Sequence, residues 1–318
     1  MRQRVSELEP TLARIGLYHL GFADEQGAPS TGGDGKLTRT SLITAAAQGV
    51  GLAPEDVLSQ AAALELFHNS TLIHDDIIDG DDLRRGRPAA WRVFGTGLAI
   101  LAGNALENLA LRMVMTDTGA GREPVSRAFA EAIGRVHDGQ AREIVFRPGP
   151  GATTAEYDRI VAGKASALLE WSLTTPAVQA GEPEEVLAAL RAAGRHLGAG
   201  LQMSNDVEDI WGDTAVTGKG DRGDIKRRNL TFPVVLALSA DCAAGRALAR
   251  LWQADDTTDA HLQAMADLIE EAGGRRTATQ LAQDHLARAV ENLARAHLAE
   301  AATDELTTLF DRIVNRTA

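Results

Sequence analysis

EDVLSQAAALELFHNSTLIHDDIID, residues 55–79, is the stretch that decides the fold. Leu58, Ala62, Leu66 and similar positions are apolar on more than one face, which predicts a single helix over 55–78 at the centre of a helical assembly. The stretch closes on three carboxylates, Asp75, Asp76 and Asp79, packed into an apolar run. Carboxylates so close together repel one another and resist burial, so a cationic partner is expected. Asp75 and Asp79 stand four apart and share one helical face, to which His68 also belongs. The basic turn Arg84-Arg85-Gly86-Arg87-Pro88 follows. Far downstream lies a second acidic cluster, Asn205, Asp206 and Asp209. A helix is predicted over 198–211, along which Gln202, Asp206 and Asp209, continued by Asp213, form one polar stripe.

Composition agrees with a helical fold. The chain has 318 residues, 44% hydrophobic and only 4% aromatic, with Ala and Leu dominant. That favours helices packed on helices. Predicted breaks fall at 27–35, 80–88, 118–124, 147–154, 181–184, 212–224, 254–258 and 273–275. No linker between them marks a domain boundary, so residues 1–318 read as one domain, an all-α bundle of long antiparallel helices. The net charge of −12 argues against nucleic acid or an anionic membrane surface as partner. Cys242 is the only cysteine, so no intrachain disulfide is expected, in keeping with a reducing cytoplasm. No signal peptide is visible at the N-terminus. The most apolar run, 97–106, is too short for a membrane span.

The acidic clusters predict metal chemistry. Short carboxylates at i and i+4 near a helix end can hold Mg²⁺ through one or two oxygens each, leaving other positions to water and substrate phosphate. Two such helices facing each other could bridge three ions over one diphosphate. The matching reaction is heterolysis of an allylic C–O bond, with the charge on the leaving group stabilised. A solvated helix end is the plainer explanation of one Asp-Asp-x-x-Asp run; the apolar upstream sequence and the second cluster weigh against it. Cations to meet a diphosphate are at hand. Gly32-Gly33-Asp34-Gly35-Lys36-Leu37-Thr38-Arg39 is a Gly-rich loop entering a helix, without P-loop spacing. The Arg84-Arg85 turn is either a solvated loop or a clamp. Lys164 sits among apolar residues, where it snorkels or points at a buried anion, and Lys219 lies on a Gly-flanked loop.

Together these residues resemble the trans-type isoprenyl diphosphate synthases, short-chain type, from about Gly32 to Arg316. The most specific match is Asp75-Asp76-Ile77-Ile78-Asp79 followed by Arg84-Arg85-Gly86-Arg87-Pro88. Gly35-Lys36-x-x-Arg39, Gly139-Gln140, the Lys164 segment, Leu201-Gln202 before the second cluster, and Thr217-Gly218-Lys219 with Asp224 follow in the expected order. The resemblance implies the isoprenoid synthase fold, helices around a central cavity, and a homodimer. It implies Mg²⁺, three per site, on Asp75, Asp79, Asn205, Asp206 and Asp209, with Asp76 in support. Arg84, Lys164 and Lys219 would grip the allylic diphosphate. Lys36, Arg39, His68 and Arg85 would hold isopentenyl diphosphate, with Gln140 and Gln202 near the reacting carbons. The implied reaction ionises the allylic substrate, adds the isopentenyl double bond to the cation and releases a proton to the departing diphosphate.

Some positions depart from the family pattern. Asn205 replaces an aspartate, Ala165 a common Thr, Asn104 a common Asp and Asn229 a common Lys. The spacing of Asn205, Asp209 and Asp213 also suits a class I terpene cyclase of the same fold, with acids in place of its hydroxyl and Glu. Against a cyclase, Lys36, Arg39, His68 and Arg85 supply a second diphosphate pocket. A regulatory subunit is a third possibility, opposed by the intact first motif. Ser70 and Thr71, just before that motif, are small, and Phe67 lies about one turn deeper. If Phe67 forms a cavity floor, the product is geranylgeranyl diphosphate; the alternative is that Phe67 is ordinary core.

Overall fold

The computed structural model describes residues 1–30, 37–117, 121–146, 153–212, 222–229 and 231–315, and they are almost wholly helical, as expected. The chain gathers into two compact units.

The first unit comprises Met1–Ala130, Ser172–Pro183 and Leu298–Leu306. It holds α1 (Arg2–Ser6), α2 (Pro10–His19), α3 (Thr38–Gly49), α4 (Leu58–Asp79), α5 (Ala90–Phe94) and α6 (Thr96–Thr116). The helix predicted over 55–78 is α4, entered through a 3-10 turn at Pro54–Val57 because Pro54 supplies a ready-made first-turn φ. Gly80, at φ 68°, ends α4 in the left-handed conformation, where a glycine carries no Cβ penalty. Helices α4 and α6 pack along each other. At Gly103 the two lie close enough that a Cβ would collide with the His74 ring. Leu42, Ile43, Leu64, Leu66, Phe67, Ile73, Leu106 and Phe129 form the buried core of this unit.

One antiparallel hairpin interrupts the helices. Strands β1 (Leu83–Arg84) and β2 (Arg87–Pro88) pair through the two-residue turn Arg85-Gly86, with φ of 53° and 73°. Two successive positive φ values are the mark of a type I′ turn, whose twist suits a tight hairpin. The predicted basic loop is therefore a built element.

Helix α6 corrects one expectation. Its 21 residues are long and apolar enough, by length and composition, to cross a membrane, and 44% of the most apolar window is buried. Polar Asn104, Glu107 and Asn108 break the run in the sequence, but the helix continues through them. A core helix of a globular protein passes the same test.

The second unit comprises Glu131–Trp171, Glu184–His297 and Thr307–Ala318. Helix α7 (Arg122–Val145) contributes most of its length here. It is followed by α8 (Thr154–Val161), a π-helical turn at Ala162–Ser166, the opening residues of α9 (Ala167–Ala180), which from Ser172 onward belongs to the first unit, and α10 (Glu184–Trp211). The helix predicted over 198–211 thus begins fourteen residues earlier, at Glu184 rather than Gly198. Its glycines serve contact. A Cβ on Gly194 would stand 2.5 Å from the Glu170 Cα, and one on Gly198 would collide with Ser166. The remaining helices are α11 (Gly223–Arg227), α12 (Phe232–Ser239), α13 (Ala243–Trp252), α14 (Asp259–Glu271), α15 (Gly274–Ala294) and α16 (Glu300–Asn315). Ile210, Ile225, Val234, Leu248, Met265 and Ile269 form one buried cluster.

Candidate active site

In the first unit the acidic end of α4 meets the hairpin. Asp76 is buried, and Arg84 donates to its Oδ1 from Nε at 2.8 Å and from Nη2. Burial pushes the Asp76 carboxyl up and the Arg84 guanidinium opposes it. A helix C-terminus is the negative end of its dipole, so three carboxylates there need positive charge nearby. Arg84 meets that need for one of them. Asp75 and Asp79 are half-buried one turn apart. Asp76 Oδ2 is buried with no hydrogen-bond partner.

Beside this acidic end lies a basic patch. Arg85 Nη2 donates to Asn69 Oδ1 at 3.2 Å. His68 is held well below its ordinary pKa by burial, then by Arg39 and Arg85, so its ring is neutral. Among the described residues Arg39 Nε is a buried donor without an acceptor, an orphan of the kind an anionic ligand satisfies. Glu65 accepts from Thr40 N at 3.2 Å and Thr40 Oγ1 at 3.3 Å. Arg39, His68, Arg84 and Arg85 thus belong to one neighbourhood. Lys36 and the glycines before it lie outside the described residues.

The residues before the first motif are packed differently from a cavity floor. Phe67 has 0% exposure and meets Phe129 edge to face, ring centroids 6.0 Å apart. Ser70 is likewise fully buried and donates to the Phe67 carbonyl at 2.7 Å. Neither lines an open hollow here, so the core alternative describes Phe67. Thr71 is half-buried and donates to the His68 carbonyl.

In the second unit Asp206 is 2% exposed. Gln202 Nε2 donates to its Oδ1, and Tyr157 Oη and Phe232 N donate to its Oδ2, each at 2.8 Å. Burial drives its pKa up to about 7, with the Phe232 N–H pulling the other way. The tyrosine stays protonated, since burial and Asp206 both raise its pKa well above the usual value. With both oxygens engaged by protein donors, Asp206 serves here as a strut, not as an exposed ligand. Asn205 is half-buried, and its Oδ1, a buried acceptor, has no partner among the described residues. Asp209 Oδ2 accepts from Asp224 N at 2.8 Å. Asp213 and Lys219 lie outside the described residues.

Lys164 sits on the π-helical turn and is ion-paired with Glu143. Turns of this kind recur at functional sites. Gly139 lets α7 approach it: a Cβ there would lie 2.5 Å from Lys164 N. Gln140, the next residue, is half-buried. Arg228, adjacent to Asn229, directs its guanidinium to the carbonyls of Ile225, Ala254 and Asp256.

The donor sets fit magnesium in kind. They are hard oxygens, carboxylate and amide, and two of those oxygens are buried without a partner. Among the described residues no three His, Cys, Asp or Glu side chains gather into one ligand shell. Magnesium commonly takes one or two carboxylates and leaves the rest to water and phosphate. Asp75, Asp79, Asn205 and Asp209 are the residues that would hold it. Tyr157, Glu143, Glu65 and Asn69 were not singled out by the sequence. Only the last two carried a local signal, standing within one turn of His68 on α4.

The chain matches the family model described as polyprenyl synthetase over residues 28–269. It is 35% identical over 323 residues to the (2E,6E)-farnesyl diphosphate synthase of Mycobacterium tuberculosis, covering 100% of this chain and 90% of that one. It is 35% identical over 296 residues to the geranylgeranyl diphosphate synthase of the same organism, covering 92% and 84%. A polyprenyl synthetase from Streptomyces coelicolor A3(2) superposes with a TM-score of 0.90 at 34% identity, covering 98% of this chain and 95% of that one. A polyprenyl synthase from Caulobacter crescentus, complexed with calcium and isoprenyl diphosphate, superposes with a TM-score of 0.87 at 25% identity, covering 100% and 92%.

Proposed function

Since the chain belongs to the polyprenyl synthetase family and is an isoprenyl diphosphate synthase, a prenyltransferase, we propose that it joins isopentenyl diphosphate to an allylic diphosphate and releases geranylgeranyl diphosphate. The reading rests on the hairpin that carries Arg84 onto Asp76 and Arg85 onto Asn69, beside Arg39 and His68. In this reading those cations serve a second diphosphate beside the carboxylates that would hold metal. The cyclase alternative gains no support, because the relatives reported above are named as synthases.

Each residue has a part in this proposal. Arg39, His68 and Arg85, with Lys36, hold isopentenyl diphosphate. Arg84, Lys164 and Lys219 bind the allylic diphosphate; Arg84 has five N–H donors and commits two of them to Asp76. Asp75, Asp79, Asn205 and Asp209 hold magnesium, with Asp76 and Asp206 positioning their neighbours. Magnesium, which the family uses and which we set at three ions per site, supplies positive charge to the leaving diphosphate. Gln140 and Gln202 lie near the reacting carbons, and apolar walls keep water from the cation. The proton lost in the last step passes to the departing diphosphate, and neutral His68 only donates a hydrogen bond.

The product assignment rests on Thr71, half-buried just before the first motif and too small to block growth at the farnesyl stage. The homologues leave this length open, since they include farnesyl and geranylgeranyl synthases. A cytoplasmic, homodimeric, single-domain enzyme completes the proposal; the family match runs through residues of both units. Purified protein given Mg²⁺, farnesyl diphosphate and labelled isopentenyl diphosphate should yield a labelled C20 diphosphate, and Asp75→Ala should lower turnover at least about a thousandfold with its helical circular dichroism intact. A farnesyl-length end product would overturn the length assignment. Hydrocarbon formed without isopentenyl diphosphate would overturn the reaction.

A further inference from the structure

We propose that Asn69 is a positioning residue for isopentenyl diphosphate: it holds the Arg85 guanidinium in place, with Glu65 as the counter-charge behind it. The inference rests on the isopentenyl role given to Arg85 above.

Asn69 is 4% exposed and both ends of its amide are engaged. Nδ2 donates to the Glu65 carbonyl one turn back on α4, at 2.8 Å. That bond ties the side chain to its own helix and directs Oδ1 at Arg85 Nη2, 3.2 Å away. The orientation cannot be reversed without setting N–H against N–H.

Arg85 needs such an anchor. It occupies the first central position of the type I′ turn at φ 53°, where glycine or asparagine serves the backbone better. The use of an arginine at this position lies in its side chain. The hairpin backbone is fixed elsewhere, by Tyr18 Oη on the Pro88 carbonyl at 2.7 Å and by Arg87 Nη2 on the Ala23 carbonyl at 3.1 Å. Those contacts leave the long Arg85 side chain to be ordered separately, at a cost in rotamer entropy.

Charge explains why residue 69 is an amide. Arg39 and Arg85 both feel Glu65, which is 5% exposed and tied to Thr40. One buried carboxylate steadies two arginines. A second, at 69, would repel the incoming diphosphate, whereas asparagine supplies the acceptor without the charge. Glu65 therefore balances the charge and Asn69 sets the geometry.

Steady-state kinetics of Asn69→Leu test this. KM for isopentenyl diphosphate should rise about tenfold, with kcat and the allylic KM within about twofold of wild type. In an Arg85→Ala background the same substitution should change KM for isopentenyl diphosphate less than about twofold, because the group it acts through is gone. An unchanged isopentenyl KM, equal rises in both KM values, or effects that multiply across the two variants would overturn the proposal. If Asn69→Leu does not fold, Asn69→Ser is read by the same criteria. A wild type that takes up no isopentenyl diphosphate, by calorimetric titration, would sink the substrate reading and this inference with it. A wild type that elongates while Asn69→Leu and Asn69→Ser keep their KM would sink this inference alone.

Discussion

Two buried side chains show how far burial reshapes ordinary chemistry. Asp206 reads in the sequence as one more acid of a ligand stripe, yet three protein donors surround it. Nothing in residues 198–211 announces Tyr157, 49 positions away, as its partner. His19 was not legible as special at all. It is 7% exposed with Nε2 unpartnered, and burial, then Arg85 and Arg84, hold its pKa down to about 3. Its folded pKa lies below the unfolded value of 6.5, so the unfolded chain binds the extra proton between those limits. Stability is full above pH 6.5 and falls as pH drops toward 3, by up to about 1.4 kcal/mol per pH unit from this group. His19→Gln should flatten that limb, measured by urea unfolding between pH 4 and 7. An unchanged slope would show that His19 is not buried neutral.

At the scale of elements, glycine and proline act locally, so several helix ends are legible in the sequence, whereas the breaks after Gly49, Phe94, Ser239 and Ala294 were not. Helices end at Asp79, Thr116, Val145, Ala180, Trp211 and Glu271, each at a predicted break. The expected helix start at Gly198 lies inside α10, where Gly194 and Gly198 let the helix lie against Glu170 and Ser166. Gly134, on α7, has open space instead: a Cβ there would meet nothing within 4 Å. Gly198→Ala should therefore cost about 1–3 kcal/mol through overpacking and raise the allylic KM by shifting the turn that carries Lys164. Gly134→Ala should instead stabilise by about 0.5–1 kcal/mol through helix propensity. Urea melts of both variants distinguish the two uses of glycine; equal effects would refute the packing argument.

At the scale of the molecule, α6 leaves Leu98, Ile100, Leu101 and Met115 exposed. Four exposed large apolar side chains on one helix suit burial against a partner. The homodimer in the proposal supplies that partner, if α6 of one copy packs against α6 of another. Light scattering should give twice the chain mass for wild type and the single chain mass for Leu98→Lys combined with Leu101→Lys. A wild-type monomer, or a dimer indifferent to these changes, would place the interface elsewhere or remove it.

Family and fold class were legible in the sequence, because helical periodicity and the spacing of Asp75, Asp76, Asp79, Arg84 and Arg85 lie within a few turns of chain. Which carboxylate is a strut, which arginine is braced by an amide and whether Phe67 faces a hollow or a second ring were decided by the tertiary structure alone. Those outcomes depend on desolvation and on partners distant in sequence. A side chain's charge, direction and freedom are set by what is packed around it, and spacing along the chain does not record that.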